Sequence, residues 1–241
     1  MPGALSAARP AGLPECALSV VVPTWRDDER VPDLPVRAAG DGGGVEWIVA
    51  AVEPAAATRE RAARRDFLLV ECGEPSRGRQ MNAGAARASG GMLCFHHADS
   101  ELTAAHCRAL LAAADDPELI GGAFERKFDH RHPLACRFER CVNAVNRRFG
   151  PFFGDQSIFV RAPVFRRLGG FADIPLMEDL EFSRRLRRAG RTTLLGPPLA
   201  TSARRFRRLG SLRCSLLNGL LICAYYLGVP PRRLHAWYYG T

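Results

Sequence analysis

Apolar runs alternating with helix-periodic stretches set out the first half of the chain. "CALSVVVPTW" (16–25) is a β-branched run that Pro23 is expected to end. "VEWIVAAV" (45–52), "DFLLVE" (66–71) and "GMLCFHH" (91–97) read as three further strands. Between the second and third lies "PAAATRERAARR" (54–65), with Pro in a first-turn position, and between the third and fourth "SRGRQMNAGAARASGG" (76–91), opened by Ser and closed by Gly-Gly. Strands that alternate with short helices imply right-handed crossovers and a mostly parallel sheet. The link "RDDERVPDLPVRAAGDGGG" between the first two strands is too rich in Pro and Gly for a full helix.

The second half is predominantly helical in pattern. "LTAAHCRALLAAADD" (102–116) and "LACRFERCVNAVNRRFG" (134–150) are amphipathic, and "QSIFVRAPVFRRLGGF" (156–171) reads as strand, turn, short helix and Gly-Gly stop. "MEDLEFSRRLRRAG" (177–190) carries acids in its first turn and arginines in its last turns, the order a helix dipole favours. The last segment holds an apolar core from Leu216 to Leu227, short of the roughly 20 residues that span a bilayer. It reads as a packed or interfacial helix, with Arg232, Arg233, Trp237, Tyr238 and Tyr239 able to sit at headgroup level. The expected organisation is a leader over 1–15, one α/β domain over 16–210 and a helical tail over 211–241, within a chain of 241 residues.

Composition narrows the function classes. The eight cysteines form no CxxC pair and lie mostly in apolar runs, as reduced, buried thiols do, which favours the cytoplasm. The opening "MPGALSAARPAGLPEC" lacks the continuous apolar stretch of a signal peptide. A formal net charge of +9 comes almost wholly from arginine, densest in "RRLRRAGR" (184–191) and "RRFRR" (204–208). Such an excess suits an anionic partner, whether nucleotide diphosphate, anionic lipid or nucleic acid, and equally a solvated arginine surface. No nucleic-acid reader motif accompanies it, so nucleic acid is not an expected partner. Nucleotidyl transfer would call for a Gly-rich, lysine-bearing loop after the first strand, and the chain's one lysine is Lys127.

Two polar clusters carry candidate chemistry. His96-His97-Ala98-Asp99 follows the fourth strand, at the strand end where open α/β sheets bind ligands. It is either a metal site or the polar end of a buried strand, with Asp99 or Ser100 capping the next helix. Glu178-Asp179 opens the arginine-rich helix, where unpaired backbone N–H groups favour an ionised carboxylate able to take a proton from a hydroxyl; acids there are also ordinary helix stabilisers. Together the clusters suit metal-assisted transfer from a diphosphate donor, with Asp99 holding the ion and Asp179 activating the acceptor.

"LSVVVPTW", "GRQMNAGAARASGGMLCFHHADS" and "GDQSIFVRAPVFRRLGGFADIPLMEDLEFSRRLRRAGR", in that order over about residues 17–210, resemble the family 2 glycosyltransferases of the GT-A fold, in particular a small bacterial subgroup with H-A-D in place of D-x-D. The resemblance implies a GT-A-like α/β fold and an inverting transfer from a nucleotide-sugar donor with Mg²⁺ or Mn²⁺. By that likeness His97 and Asp99 stand at the metal and diphosphate position and Asp179, beside Glu178, is the catalytic base. Asn82 and Gly84 line the donor pocket, Pro23 and Thr24 meet the nucleobase, and Arg204 and Arg205 reach the diphosphate. Gly154, Asp155 and Gln156, with Gly169, Gly170 and Phe171, shape the acceptor side. His97 is a ligand or orients Asp99, and His96 is structural.

Two departures from the pattern bear on the donor. Ala51 stands where the family carries an acid after the second strand, and Arg26-Asp27 replaces its Asn-Glu. Asp27, Asp28 or Glu53 are the nearby carboxylates that can substitute. The alternative to a working transferase is therefore a degenerate GT-A-fold protein that binds or partners another enzyme. The apolar, aromatic tail admits a lipid-linked acceptor and a peripheral location at the inner face of the membrane.

Overall fold

The computed structural model describes residues 17–25, 44–64, 67–98, 100–127, 143–144, 146–148, 150–200 and 211–240, with only the helical backbone over 211–216. Seven strands form one sheet: β1 (Leu18–Trp25), β2 (Val45–Val52), β3 (Leu68–Cys72), β4 (Met92–Phe95), β5 (Leu119–Lys127), β6 (Ile158–Arg161) and β7 (Arg191–Ala200), in the order β3-β2-β1-β4-β6-β5-β7. All run parallel except β6, which is antiparallel to both β4 and β5. The helices are α1 (Ala56–Ala63), α2 (Arg77–Arg87), α3 (Ala104–Ala114), α4 (Ala162–Arg167), α5 (Glu178–Ala189), α6 (Ser211–Tyr226) and α7 (Pro231–Tyr239).

The apolar strand runs are continuous because the central strands are buried on both faces, and the period of two splits them between two cores. Val20, Val22, Trp47, Val49 and Cys94 pack with α3 and with Ala62 of α1. Val21, Ile48, Leu93 and Phe95 pack on the opposite face with α2, α4 and α5. There Phe95, Phe165, Phe171 and Phe182 stack with neighbouring centroids 4.6–5.7 Å apart, the offset and edge-on spacing that aromatic rings prefer. Gly84 lets α2 lie directly on β1, since a Cβ there would fall 2.4 Å from Val21 Cγ1.

Several expectations change. β1 does not stop at Pro23 but pairs with β2 through Trp25. Its pairing with β4 ends at Val21, so the missing N–H of Pro23 leaves no ladder bond unmade on that side. The cap of α3 is Thr103, whose N–H donates to His106 Nδ1 at 3.0 Å, and neither Asp99 nor Ser100 fills that position. β6 passes into α4 without the expected turn. β5 and β7 were not expected at all: Gly121-Gly122 and Gly196-Pro197-Pro198 lower their strand propensity. At Gly122 the glycine is required, because a Cβ would meet Thr193 O at 1.9 Å, and β7 takes its prolines at the sheet edge. Cys94 and Cys107 are buried free thiols as expected, Cys72 is half-buried, and Cys223 is exposed. The leader, the link after β1, most of 134–150 and the "RRFRR" run lie outside the described residues.

Candidate functional site

The chain runs from β1 through β2 to β3 on one side and returns with β4 on the other side of β1, so the sheet reverses its order at β1/β4. The crevice at the carboxyl ends of those strands is where this architecture binds ligands. Because β6 is reversed, the chain entering it, Gly154–Ser157, reaches the same edge as His96 and His97 at the end of β4. The N-terminus of α5 reaches Gly154 through Asp179.

Asp179 is held there by two backbone donors. The Gly154 N–H donates to Oδ2 at 2.7 Å and the Leu180 N–H to Oδ1 at 2.7 Å. Burial nevertheless pushes the Asp179 carboxyl above its ordinary range, outweighing those N–H groups and the pull of Arg77. Glu178, buried beside it, is pushed up by burial and then by the Asp179 charge, against the pull of Arg77, whose Nη1 lies 3.4 Å from Glu178 Oε1. The helix start thus supplies the expected donors, but desolvation makes its carboxylates more basic rather than less. Met177 just before them has φ +70°, a left-handed backbone that turns the chain into α5.

His97 packs against Gly154 so closely that a Cβ there would sit 2.7 Å from both Cε1 and Nε2. Its Nε2 is buried with no hydrogen-bond partner among the described residues. Burial, then Arg77 and His96, holds the ring well below the usual histidine range, so it is neutral at physiological pH. His96 behaves differently. Its Nε2–H donates to Ser100 O at 3.1 Å, its Nδ1 accepts from Ser157 Oγ at 2.8 Å, and burial lowers its pKa to about 4. The two adjacent histidines divide into one satisfied by protein and one that is not.

Most other candidates are engaged in holding the crevice together. Asn82 Nδ2 donates to Phe171 O at 2.8 Å and its Oδ1 accepts from Phe171 N at 2.9 Å, clamping the Gly169-Gly170-Phe171 turn onto α2. Gly170 needs its φ of +70° and its missing Cβ, which would lie 2.5 Å from Asn82 Oδ1. Asp155 is ion-paired to Arg126, and Gln156 donates to Phe124 O and accepts from Phe153 N, both at 3.0 Å. Of that trio, Gly154 faces Asp179 and His97. Gly84 packs on Val21. Pro23 is half-buried in β1, while Thr24 beside it is buried, with Oγ1 lacking a partner among the described residues. Ala51, in register with Thr24, is wholly buried. Glu53 is exposed at the end of β2 with φ +52°. Asp27, Asp28, Asp99, Arg204 and Arg205 lie outside the described residues.

Sequence reasoning missed Arg77 and Gln80. Arg77 opens α2, where a cation opposes the helix dipole; that misfit was the available signal. Gln80 sits on the buried face of α2 with Met81 and Gly84, and its Nε2 donates to Thr24 O and Ala50 O, both at 2.8 Å, tying the ends of β1 and β2.

For a divalent ion, no group of three His, Cys, Asp or Glu side chains able to hold one occurs among the described residues. The neutral ring of His97, whose Nε2 has no partner among the described residues, is one donor that fits such an ion, and Asp99 lies two residues on in sequence.

No family model and no curated protein sequence matches the chain. Solved structures do. A mannosyltransferase from Pyrobaculum calidifontis, in complex with GDP-Man and Mn²⁺, aligns over 97% of this chain and 70% of its own with a TM-score of 0.63 at 18% identity. S. aureus TarS aligns over 77% of this chain but 36% of its own (TM-score 0.62, 15% identity), so the chain spans about a third of that protein. Glucosyl-3-phosphoglycerate synthase from Mycobacterium tuberculosis, in complex with Mn²⁺, UDP and phosphoglyceric acid, aligns over 89% and 80% (TM-score 0.56, 18% identity). At these identities the likeness concerns the fold, and the chain has a GT-A-like α/β fold, as its motifs led one to expect.

Proposed function

We propose that the protein is an inverting glycosyltransferase of the family 2 type, moving a sugar from a nucleoside-diphosphate donor to an acceptor hydroxyl. The observation that carries the reading is Asp179: a carboxylate at the crevice edge, fixed by two N–H donors and made more basic by burial. In the proposed step the acceptor O–H gives its proton to Asp179 while its oxygen bonds to the anomeric carbon. The anomeric C–O bond to the diphosphate breaks on the opposite side, and in-line displacement inverts the centre. A Mg²⁺ or Mn²⁺ ion, held by His97 and Asp99, would neutralise charge on the departing diphosphate. Arg77 adds a fixed cation beside Glu178, with Arg204 and Arg205 assigned to the diphosphate by sequence. Thr24, with Pro23 and Asp27, is assigned to the nucleobase, and the unpartnered Thr24 hydroxyl supports a polar ligand there. Asn82 and Gly84 shape the donor pocket by fixing α2 rather than by offering a free polar group.

One observation favours a second reading, a degenerate protein that keeps the fold and acts by binding. Ala51 is wholly buried where the resemblance expects an acid, and it cannot accept a hydrogen bond from a base. Calorimetric titration with UDP, GDP and their sugars, with and without Mn²⁺, on the wild type and on Asp99→Ala decides between them. Metal-dependent binding that is lost in the variant is expected for the transferase. A folded protein that binds no donor belongs to the second reading.

A further inference from the structure

The helical hairpin α6–α7 has two chemically distinct sides. Its inner side, including Leu221, Leu234 and Tyr238, packs on Met177 and Leu180, the residues that flank Glu178 and Asp179 in sequence. Tyr238 is half-buried against this cluster, whereas Trp237 and Tyr239 beside it are exposed. The outer side is apolar and aromatic. Of six large hydrophobic side chains exposed among the described residues, five lie on this hairpin: Leu220 (67%), Tyr226, Leu227 (85%), Trp237 (59%) and Tyr239. Exposed apolar side chains scattered singly are ordinary, but this clustering on one supersecondary unit is not.

The charge of the hairpin names what covers it. Residues 211–241 contain three arginines and no aspartate or glutamate. Arg232 and Arg233 are exposed on α7, next to the exposed Trp237 and Tyr239, and neither has a carboxylate partner among the described residues. A second copy of this outer side would bring arginine against arginine without acids to answer them. A bilayer containing anionic lipid offers hydrocarbon for the leucines, an interfacial layer for the Trp and Tyr rings, and phosphate for the guanidinium groups. No helix among the described residues is long and apolar enough to cross a membrane, so contact through these residues would be from the surface.

We propose that the outer side of the α6–α7 hairpin seats the protein on an anionic lipid surface. The inner side then holds the Asp179 crevice about one helix diameter, roughly 10 Å, from the headgroups. Seating needs no chemistry at Asp179, so it stands or falls separately from the transfer reading.

The experiment is co-sedimentation of the full chain with vesicles of phosphatidylcholine alone and of phosphatidylcholine with 30 mol% phosphatidylglycerol, in low and high salt. Wild type is expected to bind the anionic vesicles and to be released by salt. Arg232→Gln with Arg233→Gln should weaken that binding about thirtyfold, and Leu227→Glu with Trp237→Glu should lower it by at least a factor of about ten. All four positions are exposed, so thermal unfolding should be unchanged, and calorimetric titration with donor on the same variants tests the transfer site independently. Equal binding to both vesicle types, no binding to either, or binding untouched by the Leu227/Trp237 variant would overturn the proposal. So would a wild-type dimer in sedimentation that Leu227→Glu dissociates without any vesicle binding, since the surface would then belong to a second copy.

Discussion

The two sides of the crevice treat their polar groups in opposite ways. On the side built by β1, β2 and α2, most polar side chains are satisfied by protein: Gln80 bridges two strand ends and Asn82 clamps a turn, with the buried Thr24 hydroxyl an exception. On the side built by β6 and the start of α5, Glu178 is buried and Asp179 half-buried, both with carboxyls pushed upward, and His97 across Gly154 has an Nε2 without a partner among the described residues. A buried polar group that is paired adds to stability, and one held in an unfavourable protonation balance costs stability. The first side is therefore expected to answer mutation with changes in folding, the second with changes in turnover.

The largest expected effect tests the second side. Asp179→Asn should lower transfer by about 10²- to 10⁴-fold, the usual worth of a positioned base, with donor affinity in calorimetry nearly unchanged. An active Asn variant would remove Asp179 from the chemistry. Next comes Gly154→Ala, whose methyl must displace the His97 ring. Steady-state kinetics should show turnover reduced about a hundredfold, as for a reacting group moved by an ångström, in a protein whose circular dichroism is that of wild type.

The first side is tested by Asn82→Ala, which leaves both backbone groups of Phe171 without their partner. Urea unfolding should report a loss of about 1–3 kcal/mol; a loss of activity with no change in stability would mean that both sides of the crevice serve turnover. The smallest effect concerns pH. Because the folded state raises the Glu178 pKa above its unfolded value, the associated stability is fully present below the unfolded pKa and is lost as pH rises through the folded one. Thermal melts of Glu178→Gln against wild type should therefore favour the variant increasingly between pH 4 and pH 8. A difference independent of pH would mean that Arg77 fully compensates the buried charge.

What the sequence made legible follows the same division. β1 to β4 and their helices were readable because continuous apolar runs and a Ser cap are local signals. β5 and β7 were not, because Gly121, Gly122 and the prolines of β7 answer to neighbouring strands and to the sheet edge. Glu178-Asp179 and His96-His97 stood out as polar residues at element ends. Their unequal fates did not: that Ser157 satisfies His96 while Gly154 faces His97 depends on a strand 61 residues away. Arg77 was visible only as a cation at the wrong end of a helix, a mismatch that needs Glu178, 101 residues on, to make sense.

The reversed direction of β6 has a practical consequence. Since the chain enters this strand at the crevice and leaves it at the opposite edge, where Arg161 holds the carbonyls of Ala114, Asp116 and Leu119, the segment 153–157 is tied within itself by the bonds between Phe153 and Gln156 and outward to Asp179, Arg126, Phe124 and His96. Exchanging it for the equivalent stretch of another chain of this architecture would alter the lining of the crevice with the strand pairings kept, provided the replacement keeps those outward contacts. A fluorophore or tether attached at the Asp115–Glu118 turn would ride on the far edge, reporting on the protein without standing in the way of what enters it.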